Sequence, residues 1–133
     1  MSRFTRDVEE FYCIVLQRTP PKQPRDLTPD EVAFRVAFLE EELGEYRDAL
    51  EDGDRIGQLD ALVDLVYVAI GTARLFHGFN FDEAWRRVHV ANLAKVGGGL
   101  GKRGHPVDIG KPEGWQPADL FDLVHTEEGD DEC

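Results

Sequence analysis

The chain is short of positive charge: 15 Lys and Arg stand against 27 Asp and Glu, for a net charge of −12. General nucleic-acid binding needs a basic footprint, so that class is excluded. Cysteine is scarce as well. Cys13 and Cys133 make neither a metal-ligand pair nor a disulfide framework, and a reduced, cytoplasmic setting is the expectation. The opening residues MSRFTRDVEEFY hold no uncharged apolar core of the signal-peptide kind. No apolar run reaches the ~20 residues of a membrane span. A soluble protein with no nucleic-acid or membrane partner is expected.

What the chain does have is helical periodicity over a length that suits one domain, residues 1–133. Val8, Phe11, Tyr12, Val15 and Leu16 recur at three- and four-residue steps and predict a helix over about 3–18. Thr19-Pro20-Pro21 stops it. Thr28-Pro29-Asp30-Glu31 opens a second helix, with Thr28 as N-cap, Pro29 in the first position and Glu31 placed to complete a capping box. Its seam of Val32, Val36, Leu39, Leu43, Tyr46 and Leu50 carries it over 29–51. Glu51-Asp52-Gly53-Asp54 is a turn, and a third helix is expected over 55–77.

That third helix is apolar on nearly every side. Leu59, Leu62, Val63, Val66, Ile70 and Ala73 form one face, while Leu65 and Val68 lie off it. Such a helix is usually central. In so short a chain a second subunit is expected to cover part of it, giving a dimer or tetramer. A fourth helix is expected over 81–95, with Phe81, Ala84, Trp85, Val88 and Ala91 on its apolar side. The segment 97–115 is rich in Gly and Pro and reads as a mobile loop. It leads into a flexible tail over 97–133 with one short helix near 117–124. No strand-like alternation is visible. The fold class is all-α, a four-helix-bundle type.

One charge interrupts the third helix. Asp64 is the lone charged residue of ALVDLVYVAIGTA, 61–73. A carboxylate there is costly unless neutralised. Glu40, Glu41, Glu42 and Glu45 stand on the preceding helix. Glu45 lies nine residues before Asp54 and Asp64 ten after, so a short turn brings both to similar heights on antiparallel helices. Glu41 and Glu45, and likewise Asp60 and Asp64, are four apart and share a side of their helix. Several carboxylates can thus converge on Mg²⁺, a hard cation that takes oxygen ligands, with Mn²⁺ as a substitute. An ion pair of Asp64 with Arg35 or Arg74 is the alternative.

Three other signals fail. Gly97 to Lys102 lacks the spacing and the hydroxyl residue of a phosphate loop. Asp52 to Val63 begins like a Ca²⁺ loop but ends on Val63. No histidine follows a Glu-x-x-His pattern, as a di-iron bundle requires.

Glu41-Glu42-Leu43-Gly44-Glu45 followed by Asp64 resembles the EExxE and ExxD pattern of the MazG-like all-α nucleoside triphosphate pyrophosphohydrolases. The segment Val88 to Lys95 is similar to that family's fourth-helix Asn/Lys stretch. Lys111-Pro112-Glu113-Gly114-Trp115-Gln116-Pro117 resembles a tail motif of the subgroup that includes phage proteins, phosphoribosyl-ATP pyrophosphohydrolase-like proteins and MazG-like dUTPases. The likeness spans about residues 30–120. One departure is plain: Ala61 stands where ExxD has Glu, with Asp60 beside it as a replacement ligand.

The resemblance implies hydrolysis of a nucleoside triphosphate to monophosphate and pyrophosphate, a nucleotide-pool house-cleaning reaction, with dUTP or dCTP suggested by the subgroup. It implies Glu42, Glu45 and Asp64 as metal ligands and Glu41 as a ligand or as the base that orients water. Arg35, Lys95 and Lys111 are the implied cations for the phosphates and Asn92 a contact to base or phosphate; for Tyr67 the alternatives are the lining of a sugar or base pocket and a place in the core, and for Trp115 stacking on a base and ordinary packing. Two rivals stand beside it: a nucleotide- or partner-binding bundle whose metal site has decayed at Ala61, and a purely structural helical dimer.

Overall fold

The computed structural model describes residues 1–97 and 101–125. Gly98 to Leu100, the acidic block Glu127 to Glu132 and Cys133 lie outside them. The chain divides into two compact units, Met1–Phe81 and Asp82–Cys133. The described residues are mainly α-helical.

In the first unit α1 spans Arg3–Ile14, α2 Pro29–Glu51 and α3 Arg55–Gly71. The start of α2 is the expected one. Thr28 accepts from the Glu31 amide while the Glu31 side chain accepts from the Thr28 amide, a reciprocal capping box. Asp54 caps α3 one way, its side chain accepting from the Gly57 amide. The two helices pack against each other across the turn between them, and α1 lies on α3.

The first helix ends earlier than its periodicity predicts. Gln17 adopts a positive φ of 52°, and the Arg18 amide reaches back to the Tyr12 carbonyl at 2.9 Å. This left-handed cap closes the helix before Val15 and Leu16 can extend it. Arg18 then lays its guanidinium over the Phe76 ring, 4.2 Å from the centroid.

The third helix also departs from expectation. Beyond Gly71 it widens into a π-helical turn, Thr72–Phe76. The Val68 carbonyl accepts from the Thr72 hydroxyl and from the Arg35 guanidinium. The His77 amide skips to the Thr72 carbonyl, and Gly78, at φ +74°, lets the Phe79 amide close on Ala73. Only glycine takes that φ without strain.

The core of this unit is Val8, Tyr12, Ile70, Leu75 and Phe76, with Leu27, Tyr67 and Phe81 packed against it. Tyr12 lies directly over Gly71, where a Cβ would stand 2.6 Å from the phenol oxygen. That close approach is why α1 can sit down on α3.

In the second unit α4 spans Phe81–Leu93, β1 Val96–Gly97, β2 Ile109–Gly110 and α5 Phe121–Val124. The strands are antiparallel, Val96 opposite Gly110 and Gly97 opposite Ile109. Two residues per strand are too few to show alternation, so the sequence pattern read this stretch as loop. Asp108, buried, fastens the hairpin by accepting from the amides of Arg103 and Ile109 and pairing with the Arg103 guanidinium. Its charge is held below the usual carboxylate range by these donors, the Ile109 amide first. Arg87 ties α4 to α5 through Asp122 at 2.6 Å.

Candidate metal centre

Glu42 and Glu45 are three residues apart on α2 and so share one side of it, facing α3 where Asp64 stands. One carboxylate oxygen from each of the three lies within 4.8 Å of the others. Glu42 is 7% exposed, Asp64 is half-buried and Glu45 faces solvent. The Oε2 of Glu42 is buried and has no hydrogen-bond partner.

Such crowding shifts the titration of the group. Burial, then Glu45, then Asp64 and Glu41 push the Glu42 carboxyl up to about 7. Burial, then Asp60 and Glu45, raises Asp64 as well. Taking a carboxylate out of water disfavours its charged form, and neighbouring negative charges add to the effect.

No arginine relieves this charge among the described residues. Arg35 donates from Nε to the Thr72 hydroxyl at 3.0 Å and from Nη2 to the Val68 carbonyl at 3.1 Å. Its guanidinium also lies 4.4 Å from the Phe76 ring centroid and is nearly fully buried. Arg74 pairs with Glu9 on α1. The alternative of an Asp64–arginine pair is therefore not what the fold builds.

An orphaned buried carboxylate oxygen beside two further carboxylates is a donor set that fits a hard divalent cation. Three protein oxygens leave room for water and phosphate ligands, the usual arrangement for Mg²⁺. Glu41 and Asp60 are exposed and stand outside the converging trio, although both act on it electrostatically. Ala61 is buried, 2% exposed, so the position that ExxD fills with Glu is here an apolar contact.

Tyr67 is packed on the core, its ring edge-on to Phe11 at 5.5 Å between centroids. Asn92, Lys95, Lys111 and Trp115 belong to the second unit. There the structure brings three of them together: the ammonium groups of Lys95 and Lys111 lie 4.9 and 5.2 Å from the Trp115 ring centroid. Asn92 is exposed near the end of α4. The structural role of Arg35 is the feature sequence reasoning missed. Its signal was the flanking pair Phe34 and Phe38, whose stacked rings also sit near the guanidinium.

The phosphoribosyl-ATP pyrophosphohydrolase family model matches residues 8–92, well over half of the chain. No curated protein matches it. The chain belongs to the phosphoribosyl-ATP pyrophosphohydrolase family, within the MazG-like all-α pyrophosphohydrolases, and that membership supports pyrophosphohydrolase chemistry on a nucleotide.

Proposed function

We propose that the protein is a Mg²⁺-dependent nucleoside triphosphate pyrophosphohydrolase that releases pyrophosphate from a (d)NTP, with dUTP or dCTP as first candidates. The observation that carries this reading is the trio of Glu42, Glu45 and Asp64 around an unpartnered buried oxygen.

In this reading Glu42, Glu45 and Asp64 hold the cation, with Mn²⁺ able to substitute and Asp60 an outer ligand. A bound Mg²⁺ would neutralise phosphate charge and stabilise the charge that develops in the displacement. Glu41, exposed beside the trio, accepts a proton from the attacking water. The water oxygen bonds to the α-phosphorus, the bond from that phosphorus to the bridging oxygen breaks, and pyrophosphate departs with the electron pair. Asn92, Lys95, Lys111 and Trp115 are the proposed substrate contacts of the second unit. Arg35 serves the site by holding α2 and α3 in register, and Tyr67 by filling the core behind them.

The reading also includes a homodimer or tetramer in a cytoplasmic setting, in which a second copy completes the bundle. Its support is the exposed apolar surface of α2 and α3. Ile56 is 84% exposed, Leu59 66% and Val63 53%, with Val32, Val36, Leu43 and Leu50 about half exposed on α2. So many exposed apolar side chains on two neighbouring helices support an interaction face.

Pyrophosphate release from a panel of dNTPs and NTPs, with Mg²⁺ or Mn²⁺ and a Glu42→Gln control, tests the reaction. Metal-dependent release that the control lacks supports it. The buried Ala61 favours a second reading, a binding bundle with a decayed site. That reading predicts stabilisation by metal and nucleotide without release on any substrate.

A further inference from the structure

The fully buried residues of α2 are Arg35, Glu42 and Ala49, at seven-residue steps. Two of them are charged and the third ends in a methyl, so apolar packing along this seam does little to fix how α2 sits against α3. Hydrogen bonds on either side of Glu42 do it instead. Toward the turn, the Gln58 side chain donates to the Ala49 carbonyl at 3.3 Å. Toward the other end, Arg35 donates to the Val68 carbonyl and to the Thr72 hydroxyl. Glu42 stands seven residues from each tie on α2, and Asp64 stands four residues before Val68 on α3.

Thr72 holds the second tie together. Its hydroxyl donates to the Val68 carbonyl at 2.8 Å and accepts from Arg35 Nε at 3.0 Å, so the two acceptors of Arg35 form one linked unit. Arg35 has no carboxylate partner among the described residues. A buried guanidinium of this kind depends on those two oxygens and on the Phe76 ring. A threonine bonded back to the carbonyl four residues before it also bends its helix. The π-helical turn begins at this residue. Asp64, Val68, Thr72 and Phe76 follow at four-residue steps, and each such step overshoots a full α-turn by about 40°. The wider turn, bonded five residues apart, takes back part of that drift. Phe76 therefore stays on the side of α3 that Arg35 meets.

We propose that Thr72 is a positioning residue of the metal centre, acting through Arg35 to hold Asp64 at the height of Glu42 and Glu45. It touches neither cation nor substrate, and it lies about 12 Å along the helix axis from Asp64. Without a cation the three carboxylates repel one another. The ties on either side of Glu42 decide how closely their oxygens converge before an ion arrives, and ligands already in place bind more tightly. The proposal rests on the metal-centre reading and adds to it a residue whose effect is read in ion binding, without turnover.

The test is Mn²⁺ affinity, read from the free-ion signal in electron paramagnetic resonance, for the wild type and four variants whose folding is checked by urea denaturation in EDTA. Thr72→Val and Thr72→Ala remove the hydroxyl with and without the β-branch. Each is expected to weaken Mn²⁺ binding by about tenfold, the low end of what partners beyond the ligands contribute. Thr72→Ser keeps the hydroxyl and should bind as the wild type does. Val8→Ala trims the buried core from α1 and leaves both ties intact, so it should lower stability and leave affinity unchanged. Wild-type affinity in a folded Thr72→Val or Thr72→Ala overturns the proposal. An equal loss in Thr72→Ser does so too, because the hydroxyl would not be the cause. An equal loss in Val8→Ala would mean general loosening, and also overturns it. Mn²⁺ uptake by the wild type with no change in the Thr72 variants overturns this inference alone, whereas no uptake by the folded wild type overturns the metal centre with it.

Discussion

A carboxylate oxygen of Glu42 on α2 lies within 4.8 Å of one on Asp64 of α3, and among the described residues no ion pair joins either of them to a cation. The arrangement costs stability in the absence of a cation, because both groups prefer to be neutral there. A divalent ion removes that cost, so the fold and the proposed cofactor are thermodynamically linked.

The metal-free protein should therefore lose stability as pH rises through the neutral range. Glu42 titrates at about 7 when folded against 4.5 ordinarily, so between those values the native state keeps a proton that the unfolded chain has released. Its stabilising contribution is complete below 4.5 and is lost as pH rises through about 7. Glu31 and Glu83 act oppositely. Their carboxyls are held down at about 2, Glu31 by Arg25 and Glu83 by Arg86, so their contribution is lost as pH falls from 4.5 to about 2. In EDTA the melting temperature should peak near the ordinary glutamate value and decline toward pH 8. Glu42→Gln should flatten the decline, and an unchanged slope in that variant would mean Glu42 is not the group responsible.

Arg35 is expected to matter for stability more than any exposed arginine. Arg35→Ala removes one hydrogen bond into α3 and one to the π-helical turn, leaves the Val68 carbonyl and the Thr72 hydroxyl with one donor fewer, and opens space beside Phe76. A loss of about 2–4 kcal/mol is expected in urea denaturation. Arg35→Lys should recover little of it, since an ammonium cannot span both acceptors while lying on the rings. A loss under ~0.5 kcal/mol would place the guanidinium elsewhere in solution.

The exposed hairpin of α2 and α3 predicts self-association. Sedimentation at micromolar concentration should give a dimer or tetramer, and Leu59→Glu with Val63→Glu should shift it toward monomer by burying unpaired charge in the interface. A wild-type monomer under those conditions is the contrary result.

Much of this was legible in the residues, for local reasons. The Thr28-Pro29-Asp30-Glu31 string carries its own hydrogen-bond partners, and the expected helix over 29–51 coincides with Pro29–Glu51. The convergence of Glu42, Glu45 and Asp64 needed only helix rise and a short turn. The end of α1 was not legible, because Gln17 takes a backbone conformation that favours Gly and Asn. The π-helical turn depends on Arg35 reaching a carbonyl more than thirty positions along the chain. The separation of Glu41 and Asp60 from the trio was equally hidden. Four-residue spacing puts side chains on one side of a helix, but burial decides which of them meet.

The most direct measurement is a titration of free Mn²⁺ by electron paramagnetic resonance, comparing the wild type with Glu42→Gln and Asp64→Asn. The account predicts saturable loss of the free-ion signal with the wild type. It predicts loss weakened by about tenfold or more in each variant, since each removes one anionic ligand. Equal Mn²⁺ uptake by all three proteins, or none by the folded wild type, would contradict the metal centre.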